Sequence, residues 1–242
     1  MNLKVKDLAI TFESKEILKN LNLEITDGEF VAILGPSGCG KSTLLNIIAG
    51  ILKPDRGEIY VGDQKIEGVS SHFAYMPQED LLLPWKTLLD NVTLYGKIHH
   101  KQKEAKQKAL SEMETFGLKG YEYAYPHELS GGMRQRAAFL RTALCEADMM
   151  LLDEPFGALD VITRNEMQDW LLELRKKWNQ STLLVTHDID EALYLASRII
   201  ILSGNPATIV REIDLSKINK SRDWLFNQSE LKKELYQLLG KK

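Results

Sequence analysis

The chain has 242 residues, 44% hydrophobic and 27% charged, ordinary values for a globular protein and enough for one large domain or two small ones. Its 31 basic and 34 acidic residues sum to −3, which argues against a protein that coats nucleic acid nonspecifically, because such binding needs a net basic face. Cys39 and Cys145 are too few for a disulfide framework and sit in no metal-binding spacing, and no window approaches the 18 uninterrupted apolar residues of a membrane helix.

The opening residues lack the apolar run of a signal peptide, so the expectation is a soluble cytoplasmic protein that reaches a membrane only through a partner. Residues 3–12 alternate as a half-buried strand does, and a second such stretch runs from Ile17 to Ile25. After the Asp27-Gly28 turn signal, Phe30–Leu34 is continuously apolar, the pattern of a strand buried on both faces of a parallel sheet. A glycine-rich loop follows, and then helical spacing from Ser42 to Ala49. Further short apolar runs at Ile59–Val61, Phe73–Met76, Met149–Leu152, Leu183–Val185 and Ile199–Leu202 alternate with helical patterns. This predicts an α/β fold with a mostly parallel sheet. The opening strands are expected to be antiparallel and to form a separate small sheet. Residues 85–145 show no buried strand and include the polar, helix-forming Lys101–Leu110, so they read as an inserted helical subdomain. At the end, Ser229–Leu239 predicts an amphipathic helix with Ser229 as N-cap and Leu231, Leu235 and Leu238 on one face. The tail after about residue 205 otherwise carries no readable motif.

Gly35-Pro36-Ser37-Gly38-Cys39-Gly40-Lys41-Ser42 fits G-x-x-x-x-G-K-[ST] between a buried strand and a helix, the setting this phosphate loop requires. Glycines let the backbone curl so that several N–H groups point at an anion, and the helix adds the positive end of its dipole. Lys41 would reach the β- and γ-phosphates, the Ser42 hydroxyl would bind Mg²⁺, and Thr43 could donate to the α-phosphate. Cys39 has no expected redox role. Downstream, four apolar residues lead into Asp153-Glu154. A strand of this kind ends at the carboxyl edge of the sheet, where Asp153 would hold Mg²⁺ and Glu154 would orient or deprotonate the attacking water. Ser130-Gly131-Gly132, opening a helical run through Ala143, is a second, smaller anion site made of a serine cap and exposed N–H groups. A chain with one nucleotide does not need two such sites, and a head-to-tail pair of copies uses both.

Taken together, these motifs resemble those of ABC transporter ATP-binding subunits over nearly the whole chain. Leu129–Gln135 is similar to the signature motif of that family, and the phosphate loop and acidic pair to its two Walker motifs. Gln78 matches the Q-loop glutamine, Ala158-Leu159-Asp160 the D-loop, His187 the switch histidine, and Phe12 the aromatic that stacks on adenine. The resemblance implies a P-loop NTPase core with a mostly parallel sheet (about 1–84 and 146–205) and an N-terminal antiparallel β subdomain. A helical signature subdomain (about 85–145) and a C-terminal extension (about 206–242) complete the chain. It implies ATP and Mg²⁺ as cofactors, with Ser42, Gln78 and Asp153 toward the metal, Glu154, His187 and Gln78 as catalytic residues, and Ser130, Gly131, Gly132 and Asp160 acting across a homodimer. The implied partners are integral membrane permease subunits and, indirectly, an extracytoplasmic solute-binding protein, with no nucleic acid. The implied location is the cytoplasmic face of the cell membrane.

A narrower resemblance, over Phe73–Thr87, points to the nitrate, sulfonate and taurine branch of import ATPases, which includes carriers of thiamine precursors. Leu81-Leu82-Leu83-Pro84-Trp85 suits a groove for a short helix of a membrane subunit, with core packing of the helical subdomain as the alternative and a mixture of both expected. A soluble ABC ATPase acting on DNA is disfavoured because only 52 residues separate Gln78 from Ser130, leaving no room for a long coiled coil. A ribosome-acting type usually carries two cassettes in one chain. A nucleotide switch without turnover is disfavoured by the presence of Glu154 and His187.

Overall fold

Phe30–Leu34 forms β3, five residues that are all buried, as an unbroken apolar run predicts. The structure, a computed structural model, describes residues 2–178 and 180–240. Before β3 come β1 (Leu3–Phe12) and β2 (Lys15–Ile25), and after it α1 (Lys41–Ile48), β4 (Arg56–Val61), β5 (Gln64–Ile66) and β6 (Phe73–Met76). A helical stretch follows with α2 (Leu88–Val92), α3 (Leu94–Ile98), α4 (Gln102–Glu112) and α5 (Gly131–Ala143). The chain then returns to the sheet through β7 (Met149–Asp153), α6 (Val161–Trp178), β8 (Ser181–Thr186), α7 (Ile189–Leu195), β9 (Arg198–Gly204) and β10 (Ala207–Asp214), and ends in α8 (Arg222–Phe226) and α9 (Ser229–Leu239).

β9, β3, β8, β7 and β6 lie side by side in that order and all run parallel. Period-2 alternation divides their side chains between two cores. Phe30, Ala32, Leu34, Met150, Leu152, Leu184, Ile199 and Ile201 pack toward the core that α5, α6, α7 and α9 cover. Val31, Ile33, Met149, Leu151, Leu183, Val185, Ile200 and Leu202 face the other core, where α1 is held between them and the side chains of β1, β2 and β4. With helices or strands over both faces, no position on these strands needs a polar residue, which is why they read as apolar runs.

The antiparallel strands are not a separate sheet. Among the described residues, all ten strands form one sheet in the order β5-β4-β1-β2-β10-β9-β3-β8-β7-β6. The joint is β10, antiparallel to β9 and matched to β2 by a single parallel pair, Ala207 with Leu18. β10 exposes Thr208 and Val210–Glu212, and the charged Arg211-Glu212 interrupts its apolar residues, so no continuous apolar run announces a strand. A second correction concerns α9. Gln228 stands at its N-cap with no side-chain capping bond, and Ser229 is already helical. The amide of Lys232 bonds to the carbonyl of Gln228 at 2.9 Å, which starts the helix one residue earlier than a serine cap would. Leu235 is fully buried, and Leu231 and Leu238 pack against the same core.

Replacing Leu235 by Ala should therefore cost about 2–5 kcal/mol, whereas exposed Tyr236→Ala should stay within about 0.5 kcal/mol. Urea unfolding of both variants checks this. Equal effects would show that α9 is not docked through Leu235.

Candidate functional site

Where β3 ends, the chain turns through Gly35–Gly40 into α1. Gly38 and Gly40 hold φ of 78° and 107°, the left-handed region that favours glycine. A Cβ at Gly40 would also come within 2.9 Å of the Ile17 and Leu18 side chains. The curled loop carries Lys41 inward. Its side chain is 4% exposed, and its Nζ donates to the carbonyls of Gly35 at 2.9 Å and Pro36 at 3.0 Å, 3.8 Å from Glu154 Oε1.

The next residue ties this unit to β7. Ser42 Oγ donates to Asp153 Oδ1 at 2.9 Å, and Tyr75 of β6 donates its hydroxyl to Oδ2 at 3.2 Å. Burial raises the pKa of the Asp153 carboxyl, with Ser42 and Tyr75 opposing the shift. Burial and the charge of Asp153 push the Tyr75 hydroxyl well above the usual phenol range, so it remains a donor. Glu154, just past the strand, has a φ of 44° and donates its amide to Val185 of β8 at 2.9 Å. Its Oε2 lies 3.0 Å from Nδ1 of His187, which follows β8. The register of β7 against β8 thus brings Asp153, Glu154 and His187 together.

Phe12, Ser37, Gly38, Gly40 to Thr43, Gln78 and Glu154 line one cleft of about 450 Å³. Phe12 is 43% exposed there. Cys39 is not part of this lining. Its half-buried thiol points toward the Leu202 carbonyl, and burial raises its pKa. Gly35 and Pro36 contribute the carbonyls that hold Lys41. Ser42 and Asp153 supply two hard oxygen donors in contact. Among the described residues no three His, Cys, Asp or Glu side chains converge on a metal position. A cation here would meet hard oxygen donors, from Ser42, Asp153, the Gln78 amide that lines the same cleft, phosphate and water, a set that fits Mg²⁺.

Ser130, Gly131 and Gly132 do not line that cleft. Ser130 caps α5, its Oγ accepting from the Met133 amide at 3.2 Å. A Cβ at Gly132 would meet Thr163 of α6 at 2.7 Å. Asp160 caps α6 beside it, accepting from the amides of Ile162 and Thr163 at 3.1 Å and the Thr163 hydroxyl at 2.7 Å. The serine-glycine cap and the Asp160 loop are therefore neighbours on one surface.

The loop before α2 splits its apolar residues. Leu82 is buried, whereas Leu81 and Trp85 are 56% and 71% exposed. Arg141 donates to the carbonyls of Leu81 at 2.8 Å and Asp80 at 2.5 Å, and the Asn91 side chain bonds both backbone groups of Leu83. A fixed backbone thus presents two exposed apolar side chains.

Sequence reasoning missed Tyr75, a tyrosine among apolar strand residues, and the group behind His187. There the Thr186 hydroxyl donates to Glu191 Oε2 at 2.6 Å and accepts from the Asp188 amide at 3.0 Å. Glu191 is buried, and desolvation pushes its carboxyl up to about 7. An acid at the third position of an ordinary-looking helix start gives no sequence signal of burial.

A family model described as ABC transporter matches residues 18–157. Taurine import ATP-binding protein TauB of Pseudomonas aeruginosa is 42% identical over 216 residues, covering 87% of this chain and 82% of that protein. Formylaminopyrimidine import ATP-binding protein ThiZ of Halalkalibacterium halodurans is 43% identical over 249 residues, covering 97% of each. Among solved structures, a dimeric ATP-binding cassette in a post-hydrolysis state with ADP and Pi aligns at a TM-score of 0.75 and 33% identity, over 88% of this chain and 98% of that one. The cbiO1 cassette of Clostridium perfringens shares the fold at a TM-score of 0.80 and 24% identity, over 97% and 94%.

Because folding lifts the Glu191 pKa from 4.5 to about 7, the stability it supplies is complete below about pH 4.5 and lost as pH rises through about 7, roughly 3 kcal/mol in all. Glu191→Gln keeps an acceptor for Thr186 and removes the titration. The variant should gain on the parent by that order between pH 5 and pH 8 in denaturant unfolding. A constant difference between the two across this range would contradict the burial of a neutral acid.

Proposed function

Since the chain belongs to the ABC transporter family and is an ATP-binding, ATP-hydrolysing subunit, we propose that it drives uptake of a small solute by opening and closing a head-to-tail homodimer around two ATP molecules. The observation that carries this reading is the split of its anion sites. The phosphate loop lies in the cleft with Glu154, while the Ser130-Gly131-Gly132 cap lies outside it beside Asp160. A second copy, turned head to tail, supplies the missing half of each site, and the dimeric cassette structure supports such pairing.

In this mechanism, the loop amides and Lys41 hold the β- and γ-phosphates. Lys41 exchanges its contacts with the Gly35 and Pro36 carbonyls for phosphate oxygens. Ser42, Asp153 and Gln78 would hold Mg²⁺, which neutralises charge on the phosphates when bound. Glu154 accepts a proton from, or orients, the attacking water. His187, whose Nδ1 lies 3.0 Å from Glu154 Oε2, donates from Nε2 to the terminal phosphate. Phe12 stacks on the adenine. The partner's Ser130 and Gly132 close the site and exclude water, so that hydrolysis waits for dimerisation. Loss of the γ-phosphate removes the charge that joins the two halves.

The relatives named for taurine and formylaminopyrimidine import, and the aliphatic sulfonates import ATP-binding protein SsuB of Bacillus cereus, 43% identical over 82% of this chain and 78% of that protein, support a small organic solute of the same range. The exposed Leu81 and Trp85 on their braced loop suit a short helix of a membrane permease. On this reading the dimer works at the cytoplasmic face of the membrane, with an extracytoplasmic solute-binding protein feeding the permease.

Glu154→Gln should lower ATP turnover at least about a hundredfold while retaining ATP binding, and should elute as a dimer with ATP and a monomer without it. Turnover at the parent rate would refute the role of Glu154. Lys41→Ala should weaken nucleotide binding about ten- to a hundredfold, read by equilibrium titration, and unchanged binding would refute the phosphate contact.

A further inference from the structure

Arg164, on the first turn of α6, touches two segments that stand apart in sequence. Its amide bonds to the Asp160 carbonyl at 2.9 Å, and its Nη2 donates to the Leu159 carbonyl at 3.0 Å. From the same guanidinium, Nη1 reaches Asp188 Oδ2 at 3.4 Å. Asp188 is the residue after His187 and the N-cap of α7. Its Oδ1 accepts the amides of Asp190 at 2.8 Å and Glu191 at 3.1 Å, and its own amide is held by the Thr186 hydroxyl. Asp188 is therefore fixed from three sides, and His187 is carried between it and Thr186.

The grip of Arg164 is incomplete. Its Nε is buried and has no hydrogen-bond partner among the described residues, and the contact with Asp188 is long for a charge-assisted bond. A buried N–H left without an acceptor is destabilising. A small shift of the Leu159–Asp160 loop would let the planar fork pair more fully with Asp188. Lysine lacks the rigid planar fork whose separate nitrogens reach Leu159 and Asp188 at once.

We propose that Arg164 is a positioning residue that links the Asp160 loop to His187, so that contact of that loop with a second copy sets the histidine for hydrolysis. The inference rests on the head-to-tail reading above. It assigns Arg164 no contact with the nucleotide, so it separates chemistry from binding. Arg164→Met should lower kcat about ten- to a hundredfold, as small misplacements of catalytic groups do, with the KM for ATP within about threefold of the parent. Asp188→Asn keeps the α7 cap and should show the same fall. The Arg164→Met/Asp188→Asn double variant should be no slower than either single one, because both remove one interaction. Arg164→Lys should lie between parent and Arg164→Met. Glu154→Gln/Arg164→Met should still dimerise with ATP.

An unchanged kcat in folded Arg164→Met would overturn the proposal. So would a parallel loss of kcat and nucleotide affinity, or multiplied losses in the double variant. If Arg164→Met does not fold, Arg164→Lys and Asp188→Asn decide the matter, and parent-level kcat in both overturns it. Failure of the underlying reading has a different signature, since Glu154→Gln alone would then hydrolyse ATP at the parent rate or never dimerise.

Discussion

The hydrogen bond from Ser42 to Asp153 joins two parts of the chain 111 residues apart. Ser42 opens α1 after the first core strand, and Asp153 closes the strand two places away in the sheet. Their contact requires the β3-β8-β7 order and its parallel register, which deliver every strand's carboxyl end to one edge. A one-residue slip of β7 would turn Asp153 to the opposite face and undo the site. Met150 and Leu152 are fitted to one core and Met149 and Leu151 to the other, so such a slip would also exchange these side chains between two close-packed interiors.

Once that edge is assembled, buried charge stands at the floor of the cleft, with Lys41 and Asp153 both buried. Lys41 is satisfied by its own loop's carbonyls and lies near Glu154, Asp153 has two hydroxyl donors, and Glu154 sits between Lys41 and His187. Glu154 holds this position with a left-handed backbone that a non-glycine residue adopts at a cost of about 1–3 kcal/mol. Its amide bond to Val185 fixes that conformation. Asp7, Glu13 and Glu146 share this left-handed backbone, so what sets Glu154 apart is its place between Lys41 and His187.

Part of this arrangement is legible in the order of the amino acids. Phe30–Leu34, Met149–Leu152 and Leu183–Val185 read as strands because both their faces are covered. The Ser130 cap reads correctly because capping is decided within four residues. β10 and the start of α9 do not. β10 leaves Val210–Glu212 to solvent and is held by strand neighbours distant in sequence. The start of α9 depends on a backbone bond to Gln228 that competes with serine capping. Tyr75 and Glu191 are invisible as site residues because their meaning lies in what they touch, Asp153 and Thr186, and not in their spacing.

The amino-acid sequence by itself determined the phosphate loop, the acidic pair and the strands that carry them, since these rest on local backbone geometry and on runs of side chains matched to burial. Only the tertiary structure decided that the ten strands make one sheet, that Cys39 turns away from the cleft, and that the serine-glycine cap lies beside Asp160 and outside the cleft that holds Lys41. Those outcomes depend on contacts between segments far apart in the chain, whose relative placement is set by strand order and packing, and local preference carries no information about either.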